Sequence, residues 1–151
     1  MPDHTKTIDP RITSPFHEHT GFEMLEWREN FVRLRIPLQP QHLNRHGIAH
    51  GGVILALLDE AGGIAGNWCS VPGNVRNSVT VDLTAHFVTR AVGLRVTATA
   101  RVIGGGRSLF FASTEIHDDR GTLVAFGSST HRRDRDSGHL EGTPLKKDGH
   151  D

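Results

Sequence analysis

The chain has 151 residues, about the size of one ordinary domain around a single core, and its 36% hydrophobic residues and 17 glycines argue against global disorder. Lysine plus arginine equals aspartate plus glutamate at 17 each, so no net field favours nucleic acid or an anionic membrane surface. Cys69 is the single cysteine, which excludes an internal disulfide, fits a reducing compartment and reads as a packing residue beside Trp68.

In chain order, the start MPDHTKTIDPRITSP lacks the basic-then-apolar pattern of a leader peptide. Pro2, Pro10 and Pro15 among polar residues mark 1–21 as an N-terminal arm with at most a short helical turn and little of the core. From Phe22, FEMLEW, a polar turn at Arg28-Glu29-Asn30 and FVRLRIPL predict a hairpin; Val32, Leu34, Ile36 and Leu38 form its oily face. Residues 51 to about 70 predict a helix that is apolar on every side, hence buried nearly all round. Its longest aliphatic run, Val53 to Leu58, is too short to span a bilayer. The expectation is a cytoplasmic protein with no membrane or nucleic-acid partner.

Four strand-like runs follow the turn Val71-Pro72-Gly73-Asn74. SVTVDLTAHFV places Val79, Val81, Leu83, Ala85 and Phe87 on one face by strict alternation; LRVTATARVI, RSLFFASTEI and TLVAFGSSTH complete a predicted meander. Turns fall at Gly104-Gly105-Gly106 and His117-Asp118-Asp119-Arg120-Gly121. Residues 133–151 are charged and read as a solvated, flexible tail. The domain therefore spans 22–132, with an antiparallel sheet wrapped around one oily helix.

Within that helix stand two acids, Asp59 and Glu60. A buried carboxylate without a partner is costly, so its neighbours decide its role. Residues three, four and seven positions from Asp59 are Gly52, Leu55, Ala56, Gly62, Gly63 and Gly66, a nearly bare face. Each helical glycine costs about 1 kcal/mol against alanine, which implies close approach of another backbone or a thin ligand. Glu60 shares a thicker stripe and reads as structural or solvent-facing. Asp59 is thus the chemical candidate, against the plainer alternative of a structural ion pair. Gly51 and Gly52 form a tight start to the helix or offer free N–H groups to a developing negative charge.

The string Asn44-x-x-Gly47-x-x-His50-Gly51-Gly52, with Asp59 seven residues on, resembles the hotdog-fold acyl-CoA thioesterases of the PaaI-like, phenylacetate-degradation type over about residues 22–132. The resemblance implies an α+β hotdog fold and a homodimer that forms active sites at its interface, often assembled into a homotetramer. It implies an acyl-CoA substrate and no cofactor, coenzyme A being part of the substrate. Asp59 is then general base or nucleophile, the Gly51 N–H polarises the thioester carbonyl, and Asn44 lies near the carbonyl or the acid. His50 orients the loop, and Thr80 holds the water or the acid from the partner subunit. For coenzyme A the resemblance points to Phe87, Val88, Thr89 and Arg90, and to the hairpin residues Gly105, Gly106, Arg107 and Ser108. Arg132 is a further candidate. Leu55, Trp68 or Phe22 would contribute to the acyl pocket.

Three other readings compete. His42, His46 and His50 recur every four residues, as metal ligands on a helix would, but Gly47 and Gly51-Gly52 make a helix there improbable, and no metal is expected. A non-catalytic acyl-CoA-binding module keeps the fold and drops the chemistry. Hotdog dehydratases fit the spacing of histidine and acid poorly.

Overall fold

The computed structural model describes residues 12–146; the expected arm up to residue 11 and the tail from residue 147 lie outside the described residues. A short helix α1 (Pro15–Thr20) leads into the strands β1 (Glu23–Arg28) and β2 (Phe31–Pro37), and then the helix α2 (Gly51–Gly66). There follow β3 (Asn74–Val75), β4 (Ser78–Phe87), β5 (Arg95–Gly105), β6 (Leu109–Asp118), β7 (Leu123–Arg133) and β8 (Thr143–Pro144). Six strands make one antiparallel sheet in the order β1-β2-β5-β6-β7-β4, curled around α2. This is an α+β hotdog fold. Among the described residues no helix is long and apolar enough to cross a membrane.

The β1–β2 hairpin turns through Asn30, whose φ of 58° lies in the left-handed region that asparagine tolerates. Val32, Leu34 and Ile36 point inward as their alternation predicts, against Ile54, Leu57, Leu58, Ala61 and Ala65 of α2. Of the four later strands, β5, β6 and β7 form the predicted meander and β4 does not join it. β5 pairs with β2, whereas β4 crosses to the far side and pairs with β7. β5 thus covers the edge of β2, and β4 becomes one of the two edges of the sheet, with Val79 and Val81 49% and 60% exposed. A ten-residue apolar edge is a template for pairing with another strand.

The helix is also less enclosed than its composition predicts. Ile54, Leu57, Leu58, Ala61 and Ile64 are buried, but Gly51, Gly52 and Leu55 are exposed, and Ala56, Asp59 and Gly63 are half-buried. One chain's sheet curls only part of the way round, leaving this strip of α2 open.

Both flanking segments are partly built into the fold. The Ser14 hydroxyl caps α1 by accepting from the His17 N–H at 3.2 Å, and Gly21 ends it at φ 72°. His17 and Thr20 are buried, and the His17 ring meets Phe22 edge-on. Part of the segment read as solvated likewise packs down: β8 pairs with β3, and the buried Ser137 accepts the Asn77 N–H. Arg133 is buried too. Its guanidinium lies 4.3 Å from the Phe110 ring centre and donates to the Gly66 carbonyl at the C-terminus of α2, the negative end of the helix dipole. Burial, aided by the nearby charge of Arg76, lowers its pKa to about 10.

Candidate active site

β4 carries one extra residue. Thr80 pairs with His131 and Asp82 with Thr130, so Val81 is a β-bulge. Beyond the bulge Leu83, Ala85 and Phe87 lie opposite Ser129, Gly127 and Ala125 on the helix side; before it Ser78 and Thr80 lie opposite Arg133 and His131 on that same side. The bulge thus overturns the predicted single face from Val79 to Phe87: Val79 lies on the outer face and Thr80 turns inward. There the Thr80 hydroxyl donates to Asp59 Oδ1 at 2.7 Å. Thr80 and Asp59 belong to one chain, so this contact needs no partner subunit.

Beneath Thr80 lie two groups that the sequence reading missed. His131 Nδ1 is 3.4 Å from the Thr80 hydroxyl, and its Nε2 is 2.8 Å from the buried Ser129 hydroxyl. The ring is 1% exposed and stacked on Phe110, with centroids 4.9 Å apart. At Gly62 and Gly66 the bare face of α2 has an explanation different from the expected backbone or ligand. A Cβ on Gly62 would stand 2.4 Å from Ser129 Oγ, and one on Gly66 would stand 2.2 Å from the Phe110 ring. These glycines admit side chains of the chain's own sheet. Polar Ser129, His131 and Arg133 alternating on the inward side of β7 were the available signal.

Desolvation lowers the His131 pKa from 6.5; the Asp59 carboxylate opposes the shift, Arg133 adds to it, and Glu60 opposes it. The folded state therefore takes up this proton at lower pH than the unfolded chain does, and stability falls as pH drops below about 6.5. Urea midpoints measured from pH 7.5 to 5 will decline less steeply for His131→Phe than for the wild type. Equal slopes would remove His131 from the pH dependence.

The second acid has a structural role. Glu60 Oε2 lies 3.1 Å from His17 Nε2, fastening α1 to α2. At the N-terminus of α2, His50 is the cap: its Nδ1 accepts the Gly52 N–H at 2.8 Å. The Gly51 N–H makes no hydrogen bond among the described residues. Asn44 Oδ1 accepts the His46 N–H at 2.9 Å, which folds the loop ahead of the helix and leaves the amide NH2 free to donate. His42, His46 and His50 take separate places: His42 is buried and accepts the Gln39 N–H, His46 is exposed, and His50 caps the helix.

The coenzyme A candidates fall in two groups. Phe87 lies beside Gly51, a Cβ on which would sit 3.6 Å from the Phe87 ring; Val88, Thr89 and the exposed Arg90 continue from it. Gly105, Gly106, Arg107 and Ser108 turn the β5–β6 hairpin, where the Arg133 N–H donates to the Ser108 carbonyl. Phe87 pairs with Ala125 at one end of β7, while Leu109 pairs with Arg132 at the other. Seven residues of strand hold the groups about 23 Å apart, so one chain does not bring them together. Arg132 is exposed and opposite Val79, on the outer face of the sheet.

Two adjoining cavities open here, the smaller of them beside Asp59. The smaller, about 130 Å³, is lined by Asp59, Gly63, Thr80 and His131 among others. Glu60, Ile64, Asn67 and Ser78 are shared with the larger, about 270 Å³, which reaches Trp27 and Arg76. Leu55, Trp68 and Phe22 line neither. Phe22 is core, and Leu55 is 40% exposed on the open strip of α2.

A hotdog fold with a helix-borne carboxylate beside a cavity and a glycine-led helix N-terminus defines a class of proteins that includes thioester hydrolases. Residues 46–125, more than half of the chain, match the thioesterase superfamily, and the chain belongs to that family. It is related to YigI-like and PaaI-like esterases. It is 26% identical over 133 residues to the medium/long-chain acyl-CoA thioesterase YigI of Escherichia coli, with 78% of this chain and 84% of that protein covered. A thioesterase structure from Haemophilus influenzae superposes with a TM-score of 0.71 at 25% identity, covering 79% of this chain and 82% of that one. A mutant of the phenylacetic acid degradation protein PaaI from Thermus thermophilus gives 0.66 at 26% identity, covering 79% and 98%.

Proposed function

We propose that the protein hydrolyses the thioester of an acyl- or aryl-CoA to the free acid and coenzyme A, with Asp59 as general base or nucleophile. The observation that carries this reading is the Asp59 carboxylate, held by the Thr80 hydroxyl at the mouth of a cavity.

The carbonyl also needs a donor for its developing negative charge. Gly51 and Asp59 stand eight residues apart on one helix, about 12 Å along its axis, too far to act on one thioester. The β4 edge supplies a solution. Paired antiparallel with its own copy about a two-fold axis, β4 sets its Thr80 end beside the Phe87 end of the other chain. The partner subunit's Gly51 then approaches Asp59, and the two coenzyme A groups meet across the interface. The site belongs to a homodimer on this reading.

Thiol release across a panel of aryl- and medium-chain acyl-CoAs tests the activity. Release from no member, with binding intact, would overturn it in favour of an acyl-CoA-binding module. Shared sites make a sharper prediction. Gly51→Pro removes one N–H at the first helical position, where proline is tolerated, and Asp59→Asn removes the carboxylate. Each variant alone will be inactive. Co-expressed, they will recover roughly a quarter of wild-type turnover, because each mixed dimer retains one intact site; no recovery would place both groups' function within one chain.

A further inference from the structure

We infer that His131, backed by Ser129, is a positioning residue that fixes the Thr80 hydroxyl so that its proton points at Asp59. The inference rests on reading Asp59 as the working carboxylate, and it concerns how that carboxylate is held. Asp59 ionised accepts only, so Thr80 spends its proton on Oδ1 at 2.7 Å. The Thr80 oxygen is then left as an acceptor, and the polar neighbour beneath it is His131 Nδ1 at 3.4 Å. That contact requires the proton of a neutral ring to sit on Nδ1. Nε2 is then an acceptor, and the Ser129 hydroxyl at 2.8 Å is its donor. All three protons therefore point the same way, from Ser129 through His131 and Thr80 to the carboxylate. One oxygen of Asp59 is held by Thr80, and among the described residues the other is open to water or substrate.

Packing alone does not account for this arrangement. An apolar ring at position 131 would stack on Phe110 equally well, without a polar pair to satisfy under the helix. Instead α2 carries glycine at 62, where a Cβ would stand 2.4 Å from Ser129 Oγ and 3.0 Å from His131 Nε2. The Val81 bulge brings Thr80 opposite His131 on the helix side. Bulge, glycine and inward polar residues converge on one hydroxyl.

Two measurements test the inference. Nitrogen-resolved NMR of the histidine-labelled protein at pH 7.5 will show His131 as the neutral Nδ1–H form; the Nε2–H form would overturn the directed chain without any reference to activity. In thiol release, His131→Phe keeps the stacking and will lower kcat by about tenfold or more with KM little changed, since small misplacements of a reacting group act on turnover. His131→Asn, whose amide nitrogen stands near the position of Nδ1, will restore most of that loss. In a Thr80→Val background the substitution His131→Phe will have little further effect. Equal kcat for His131→Phe and the wild type, or a change in KM alone, would overturn the inference. Asp59→Asn in the same assay separates the two readings: full activity there refutes the role of Asp59, whereas an inactive Asp59→Asn beside fully active His131 variants refutes only the role of His131.

Discussion

Asp59→Asn will lower kcat for thiol release by about 100- to 10,000-fold, the range that a positioned proton-transfer group supplies, with KM and thermal stability close to wild type. The substitution keeps the shape and the Thr80 hydrogen bond, because an amide oxygen accepts as a carboxylate oxygen does. It removes the charge and the basicity. The carboxylate is half-buried beside the smaller cavity, so no core contact depends on its ionisation. Wild-type turnover in this variant would sink the assignment of Asp59, and collapse of the fold would show its role to be structural.

The second large effect is on stability. Gly66→Ala introduces a Cβ that would stand 2.2 Å from the Phe110 ring. The ring is 1% exposed, stacked with His131 and close to the Arg133 guanidinium, so it has little room to retreat. Alanine's better helix propensity offsets only about 1 kcal/mol. Overpacking of this kind costs about 1–3 kcal/mol, and this site belongs at the upper end. The net of about 2 kcal/mol corresponds to a fall in Tm of roughly 6 °C for a chain of this size, measured by calorimetry. Because Phe110 stacks on His131, turnover will fall as well. An unchanged Tm would mean that the ring relocates without cost.

Much of the fold is legible in the residues. The alternation of Val32, Leu34 and Ile36 and the oily run of α2 are properties of single elements, and hydrophobic periodicity reports them. Strand order is not such a property: nothing within SVTVDLTAHFV distinguishes pairing with β5 from pairing with β7. The Val81 bulge is equally hidden, because one inserted residue leaves the apolar pattern of Val79 to Phe87 looking regular while reversing its sense halfway. Asp59 stands out through the glycines around it, but those glycines point to a neighbour without identifying it. Ser129 and His131 lie seventy residues further on. Arg133, not the exposed Arg132, is the arginine tied to the helix, and the parity of Ala125, Gly127, Ser129 and His131 along β7 predicts that choice.

The bulge in β4 has a consequence for how this strand tolerates change over evolutionary time. Upstream of Val81 the helix-facing Thr80 holds Asp59 and Ser78 bonds Asn67; downstream the helix-facing residues serve packing, and the opposite face and free edge stay exposed. These duties are assigned by counting residues, not by their chemistry alone. Substitutions along β4 are graded in effect, each touching one duty. Loss or gain of a single residue there is categorical: it turns Thr80 away from the helix and exchanges the inner and outer sets in one event. The strand is permissive in spelling and strict in length.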